Sequence, residues 1–219
     1  MSAAPTGGRR QRAPALALAA LALFAAFATA MHLGLTAGAD HALLHLTQQW
    51  RATHPALERA MHDLSSLGGT PVLTLATLLA AGYLCSLGRA ARAAAVVGAM
   101  VSGVLVLNLL KAGFERARPD PALAALAQEG LSFPSGHASM SGVFYLTLGV
   151  LLAQRHGRRP QRLFLLGAAA LLAGLIGASR VVLGVHWASD VLAGWAFGAG
   201  WAALWFYLAT RLRDARRPH

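Results

Sequence analysis

Six stretches of this chain, near residues 14–35, 70–88, 93–111, 137–154, 162–182 and 187–209, stay apolar for the length of a bilayer crossing. A hydrocarbon core takes about 20 helical residues to traverse, and a segment inside lipid must satisfy its own backbone hydrogen bonds. Runs of this kind predict α-helices. The composition agrees: 56% of the residues are apolar and 12% charged, where a soluble domain carries about 25% charged residues. Disorder is excluded by that apolar content, and a disulfide scaffold by the single Cys85. The expected fold class is all-α: a polytopic membrane protein with six transmembrane helices in one bundle. Gly98, Ser102 and Gly103 in the third span and Gly194, Gly198 and Gly200 in the sixth predict close helix packing. The glycines of the sixth span would serve internal packing or a dimer contact equally well, so the sequence does not fix the oligomeric state.

A formal net charge of +11 suggests a nucleic-acid partner until the charges are placed. Thirteen of the nineteen basic residues fall on one face of the predicted topology: Arg9, Arg10 and Arg12 before the first span, Arg89 and Arg92 after the second, Arg155, Arg158, Arg159 and Arg162 after the fourth, and Arg211, Arg213, Arg216 and Arg217 after the sixth. Only Asp214 opposes them there. The other face sets Arg51, Arg59, Lys111, Arg116, Arg118 and Arg180 against Asp40, Glu58, Asp63, Glu115, Asp120, Glu129 and Asp190. The positive-inside rule makes the first face cytoplasmic. The basic balance is thus a topology signal and an attraction to anionic lipid, and no nucleic-acid partner is expected.

The expected organisation is a cytoplasmic basic N-terminus over 1–13, a six-helix membrane domain over 14–210 and a cytoplasmic basic C-terminus over 211–219. Arg-Arg-Gln-Arg, an apolar run and Ala28-Thr29-Ala30 also resemble a secretory signal, but the apolar run is long for one and is read as a retained anchor. Between the first two spans, Leu43, Leu46 and Trp50 share one helical face and Leu57, Met61 and Leu64 another, with Pro55 interrupting. This segment is expected to be a broken amphipathic element in the outer interface.

Polar groups at the ends of membrane spans are costly and therefore informative. Three clusters fall on the outer face. The first is Lys111-Ala-Gly-Phe-Glu-Arg-Ala-Arg118-Pro119; Lys111 is the chain's one lysine among eighteen arginines. Lys111 and Arg118 are two helical turns apart and would share a face if the helix runs on to Arg118, where Pro119 ends it. A basic flank anchoring the helix in headgroups explains the same residues. The second cluster, Phe133-Pro-Ser135-Gly136-His137, opens the fourth span. Ser135 is the expected N-cap, and free N–H groups with the helix dipole make an anion cradle; the plain alternative is a helix start with an interfacial histidine. The third is Ser179-Arg180 followed by His186 and Asp190. That i,i+4 spacing lets the carboxylate fix the imidazole tautomer and leave the other ring nitrogen as a nucleophile, while Arg180 offers a fork for phosphate oxygens. A structural His–Asp pair capping a span is the alternative.

Lys-x6-Arg-Pro, then Pro-Ser-Gly-His, then Ser-Arg-x5-His-x3-Asp resembles, in order and without departure, the three-part signature of the type 2 phosphatidic acid phosphatase family. The motif region spans 111–190. The resemblance implies a metal-independent phosphatase, with no cofactor, working through a phosphohistidine: His186 attacks phosphorus, Asp190 orients it, and His137 protonates the leaving oxygen. Lys111, Arg118, Ser135, Gly136 and Arg180 hold the phosphoryl oxygens. A terminal phosphate carries about −1.5 to −2 at neutral pH, which three cations and a helix N-terminus offset. A protonated His137 beside a neutral His186 predicts a bell-shaped pH profile.

A site at the outer membrane–water boundary meets a phosphate at headgroup depth whose tail stays in the bilayer. The expected substrate is a membrane lipid phosphate or diphosphate, with undecaprenyl diphosphate leading and phosphatidylglycerol phosphate, phosphatidic acid and lipid A phosphate as alternatives implied by the family. A lipid phosphotransferase would use the same site. Vanadate-dependent haloperoxidases have a similar anion site but are soluble, against six apolar spans here. His41 and His45 could join Asp40 around a metal, but they are read as residues of an interfacial helix. Cys85 is expected in the core, and Trp187 at the interface, beside the nucleophile.

Overall fold

The computed structural model describes residues 7–215, with side chains over 13–211. The basic side chains assigned to the N-terminus and all but Arg211 of the C-terminal ones lie outside that description. Eight α-helices account for the described fold, with no strand among the described residues: α1 (Gly7–His32), α2 (Ala37–Thr53), α3 (Pro55–Ser66), α4 (Thr70–Ser86), α5 (Ala90–Phe114), α6 (Gly136–Ala153), α7 (Arg159–Val182) and α8 (Ala188–Ala215). Prolines sit at the starts of α3, α4 and α7, where their missing N–H is not needed.

Five helices, α1 and α5 to α8, are each long and apolar enough to cross a membrane. The expected second span differs from its sequence reading. α4 has 17 residues, about 26 Å of helix, and reaches spanning length only together with α3, from which it is bent by 43°. The amphipathic segment is broken before Pro55 as expected, and the face of α2 that packs on the bundle is largely polar. Asp40, Leu44, Thr47 and Arg51 of α2 turn inward, while Leu46 and Trp50 are 40% and 47% exposed. Polar groups win the inner face because α7 and α8 offer them partners: Thr47 Oγ1 bonds Val181 O at 3.4 Å, and Asp40 bonds Ser189.

α6 is the central helix, packed against α7 and α8 and more weakly against α5. Its contact with α8 runs through small residues. A Cβ on Gly198 would lie 2.6 Å from Ser139 O and 3.0 Å from Gly142 Cα, and one on Gly194 would lie 2.9 Å from Ala138 Cβ. Gly200 packs on Ala20 and Leu21 of α1, and Gly98 on Trp205. All three glycines of the sixth span are thus used inside the chain. Phe24, Phe114, Phe133 and Phe197 cluster where α1, α5 and α8 meet, with Phe133 against Phe114 at a centroid distance of 4.9 Å. This cluster seats the segment that leads into α6. Cys85, expected in the core, is exposed.

Candidate active site

The three polar clusters meet at one end of the bundle. α5 contributes Lys111 in its last turn, then stops at Phe114, four residues before Arg118. Glu115 takes a left-handed conformation (φ 46°) and its N–H bonds Lys111 O at 3.0 Å. The helix therefore does not carry Lys111 and Arg118 along one face as the sequence suggested; a turn brings them together instead. Lys111 Nζ donates to Leu131 O at 2.6 Å. Arg118 Nε donates to Gly130 O at 3.0 Å and its Nη1 to Val185 O at 2.8 Å.

His186 lies between α7 and α8, placed by a turn at Gly184 (φ 71°) where a Cβ would lie 2.9 Å from Leu123 O. α8 begins only at Ala188, so His186 precedes the helix, unlike the helical stacking expected from its spacing. The pair still forms because Asp190 folds back over the helix start: Oδ2 accepts Trp187 N–H at 3.0 Å and faces His186 Nδ1 at 3.3 Å. Ser132 Oγ donates to the same oxygen. Nδ1 is thereby the protonated ring nitrogen, and Nε2, 3.0 Å from Arg118 Nη1, is the acceptor. Burial lowers the His186 imidazole to about 4, opposed by the hydrogen bond and charge of Asp190, so it is neutral at physiological pH. Burial also draws the Arg118 guanidinium down from its ordinary value, again opposed by Asp190.

Ser135 precedes α6 with extended backbone, and its C=O accepts Ser139 N–H at 3.0 Å. Its hydroxyl, expected to cap the helix, makes no cap bond; the buried Oγ has no protein partner. A Cβ at Gly136 would meet only Leu107 Cδ2, at 3.8 Å, so protein packing alone does not require glycine there. His137 lies within electrostatic reach of Arg180, His186, Arg118 and Lys111. The bend between α3 and α4 abuts it: a Cβ on Gly68 would lie 3.3 Å from His137 Cδ2. Arg180, in the last turn of α7, donates Nη1 to Ser65 Oγ and Nη2 to Gln128 Oε1 at 2.7 Å, leaving its buried Nε without a protein partner. The assembly offers a neutral imidazole, a second imidazole and three cations near the N-terminus of α6.

The sequence model of the PAP2 superfamily matches residues 92–214, more than half of the chain. The chain belongs to the PAP2 superfamily. It is 37% identical over 123 residues to a lipid A 1-phosphatase of Rhizobium johnstonii, covering 51% of this chain and 43% of that protein. It is 41% identical over 68 residues to an undecaprenyl-diphosphatase of Sulfolobus acidocaldarius, covering 31% of this chain and 29% of that protein. The chain thus spans less than half the length of these curated relatives. The crystal structure of a PAP2-type phosphatidylglycerolphosphate phosphatase from Bacillus subtilis superposes with a TM-score of 0.79 at 26% identity, covering 92% of this chain and 98% of that one. The chain is accordingly a multi-pass, all-helical membrane protein of the PAP2 superfamily.

Several residues of this candidate site escaped the sequence reading. Ser132 touches both His186 and Asp190, Gln128 and Ser65 hold Arg180, and Arg116 and Asp40 pair with each other beside Asp190. Arg116 was visible only as a charge between Lys111 and Arg118, and nothing in the sequence links Asp40 to the site. His41 and His45 are exposed while Asp40 turns inward, and among the described residues no three His, Cys, Asp or Glu side chains gather to hold a metal ion.

Proposed function

We propose that this protein hydrolyses the terminal phosphate of a membrane lipid phosphate or diphosphate through a phosphohistidine at His186, on the extracytoplasmic side of a cell membrane. The observation that carries the reading is the arrangement of His186: Nδ1 faces Asp190, and Nε2 faces the Arg118 guanidinium among further cations. In the first step Nε2 forms a bond to phosphorus while the bond to the lipid oxygen breaks, and His137 gives its proton to that oxygen. The imidazolium so formed is stabilised by Asp190. In the second step His137 takes a proton from water, the resulting oxygen attacks phosphorus, and the P–N bond breaks to return neutral His186 and free phosphate. Lys111, Arg118, Arg180, Ser135 Oγ and the N–H of Gly136 bind the equatorial oxygens, where preorganised donors lower the barrier most.

The lead substrate is undecaprenyl diphosphate. A site rimmed by membrane-spanning helices favours a phosphate anchored at headgroup depth, and the Sulfolobus relative is named for that activity. Phosphatidylglycerol phosphate is the second reading, favoured by superposition on the Bacillus enzyme over nearly its whole length. The charge asymmetry supports cytoplasmic termini and an outward-facing site.

The test is phosphate release by the purified protein from a panel of lipid phosphates and water-soluble esters, with and without EDTA. The reading predicts release from lipid substrates that chelation leaves unchanged. Release confined to soluble esters, loss of release on chelation, or phosphate passed to a lipid acceptor in place of water would each contradict it.

A further inference from the structure

The candidate nucleophile is backed by a chain of charges, two buried carboxylates joined by a partly exposed arginine, that reaches a helix outside the three motifs. Asp40 of α2 is 3% exposed. Its Oδ1 accepts Ser189 N–H at 2.9 Å, and its Oδ2 accepts Ser189 Oγ at 2.6 Å and Arg116 Nη2 at 2.7 Å. Arg116 Nη1 donates in turn to Asp190 Oδ1 at 2.6 Å, on the side of the carboxylate away from His186. The Trp187 ring lies 5.5 Å from the Arg116 guanidinium carbon and packs edge-on to His41 at 4.9 Å, closing the outer side of the pair.

We propose that Asp40 and Arg116 are positioning residues of the phosphatase site, fixing Asp190 behind His186 and setting the charge that the imidazolium meets when phosphorus is attacked. The inference rests on the reading of His186 as nucleophile. Asp190 Oδ2 already serves Ser132, His186 and Trp187 N–H; Arg116 holds the other oxygen and thereby the plane of the carboxylate. The charges also count. Asp40, Arg116 and Asp190 together carry one net negative charge, which the cationic phosphohistidine ring neutralises. Truncating one member of a buried ionic set leaves its partner uncompensated. Without the Asp40 charge, Arg116 would cancel Asp190 and the imidazolium would face no net counter-charge; without Arg116, two carboxylates would over-stabilise it. The other charged or titratable groups facing His186 are Arg118 from the α5–α6 segment, Arg180 from α7 and His137 from α6, and these stay in place in either variant.

The experiment measures phosphate release from undecaprenyl diphosphate by the purified full chain, against substrate concentration and pH, for the unaltered protein, Asp40→Asn, Arg116→Gln and Arg116→Lys. Loss of an outer partner of a reacting group costs on the order of 10- to 100-fold in activity. We expect kcat to fall by that much in Asp40→Asn and Arg116→Gln, with KM within about twofold and partial recovery in Arg116→Lys. The acid limb should move to lower pH in Asp40→Asn and to higher pH in Arg116→Gln, because one variant removes a negative charge near His186 and the other a positive one. Substrate ionisation is common to all four proteins. A merely structural role would lower kcat in both without opposite shifts, and that result, or unchanged kcat, overturns the proposal. If Asp40→Asn does not accumulate as folded protein, Arg116→Gln against Arg116→Lys carries the same decision. Absence of phosphate release from every lipid by the unaltered protein would instead overturn the functional reading, and this inference with it.

Discussion

The proposed mechanism turns on His186, whose environment makes its behaviour predictable. On the proposed mechanism, replacing it with alanine removes the nitrogen that forms the covalent bond, so phosphate release should fall to background in a phosphate assay while the protein still purifies folded. Asp190→Asn keeps the shape but forfeits the charge and the tautomer control; a comparable change in a Ser-His-Asp triad costs about 10⁴-fold, and a loss of at least about 10³-fold in kcat is expected here. Because burial holds the imidazole at about 4, the neutral nucleophile persists as pH falls below the ordinary histidine value of about 6.5. After correction for substrate ionisation near pH 6, the acid limb of kcat/KM should therefore lie below about 6.5. An acid limb at or above that value would show that another group controls attack. Seven of the eight motif residues stood out as costly polar positions near the ends of apolar runs; Gly136, and the assignment of all eight to one site, came from the family resemblance. Asp40, Ser132 and Gln128 were not legible, since each matters through contacts across the fold that no spacing encodes.

At the scale of helices, the lengths of the apolar runs placed most elements within a few residues, but their ends depended on local geometry. α5 ends at Phe114 rather than at the proline, because the left-handed Glu115 turns the chain out of the helix. α2 buries its polar stripe because Ser189 and Val181 stand opposite, partners that amphipathicity alone does not reveal. The α6–α8 contact is set by backbone proximity. A side chain at Gly198 would run into Ser139 O and Gly142 Cα, atoms that can move only with their helices. Gly198→Val should cost about 1–3 kcal/mol and lower the melting temperature in detergent, whereas Gly174→Ala, where a Cβ meets nothing within 4 Å, should leave it unchanged.

The whole molecule is a bundle that gathers the polar ends of α5, α6, α7 and α8 at one membrane surface. The proposed outward orientation rests on the excess of arginines assigned to the opposite end. In a Cys85→Ser background, an impermeant maleimide added to intact cells should label Glu129→Cys, beside the site, and should reach Gly157→Cys in the α6–α7 loop only after the membrane is opened. The reverse pattern would place the site in the cytoplasm. The account as a whole turns on the covalent step. Purified protein mixed with lipid diphosphate carrying a labelled terminal phosphate, then quenched in base within milliseconds, should hold a base-stable, acid-labile phosphate mapped to His186. Turnover with no trapped phosphohistidine at any quench time, or label on a different residue, would contradict the account.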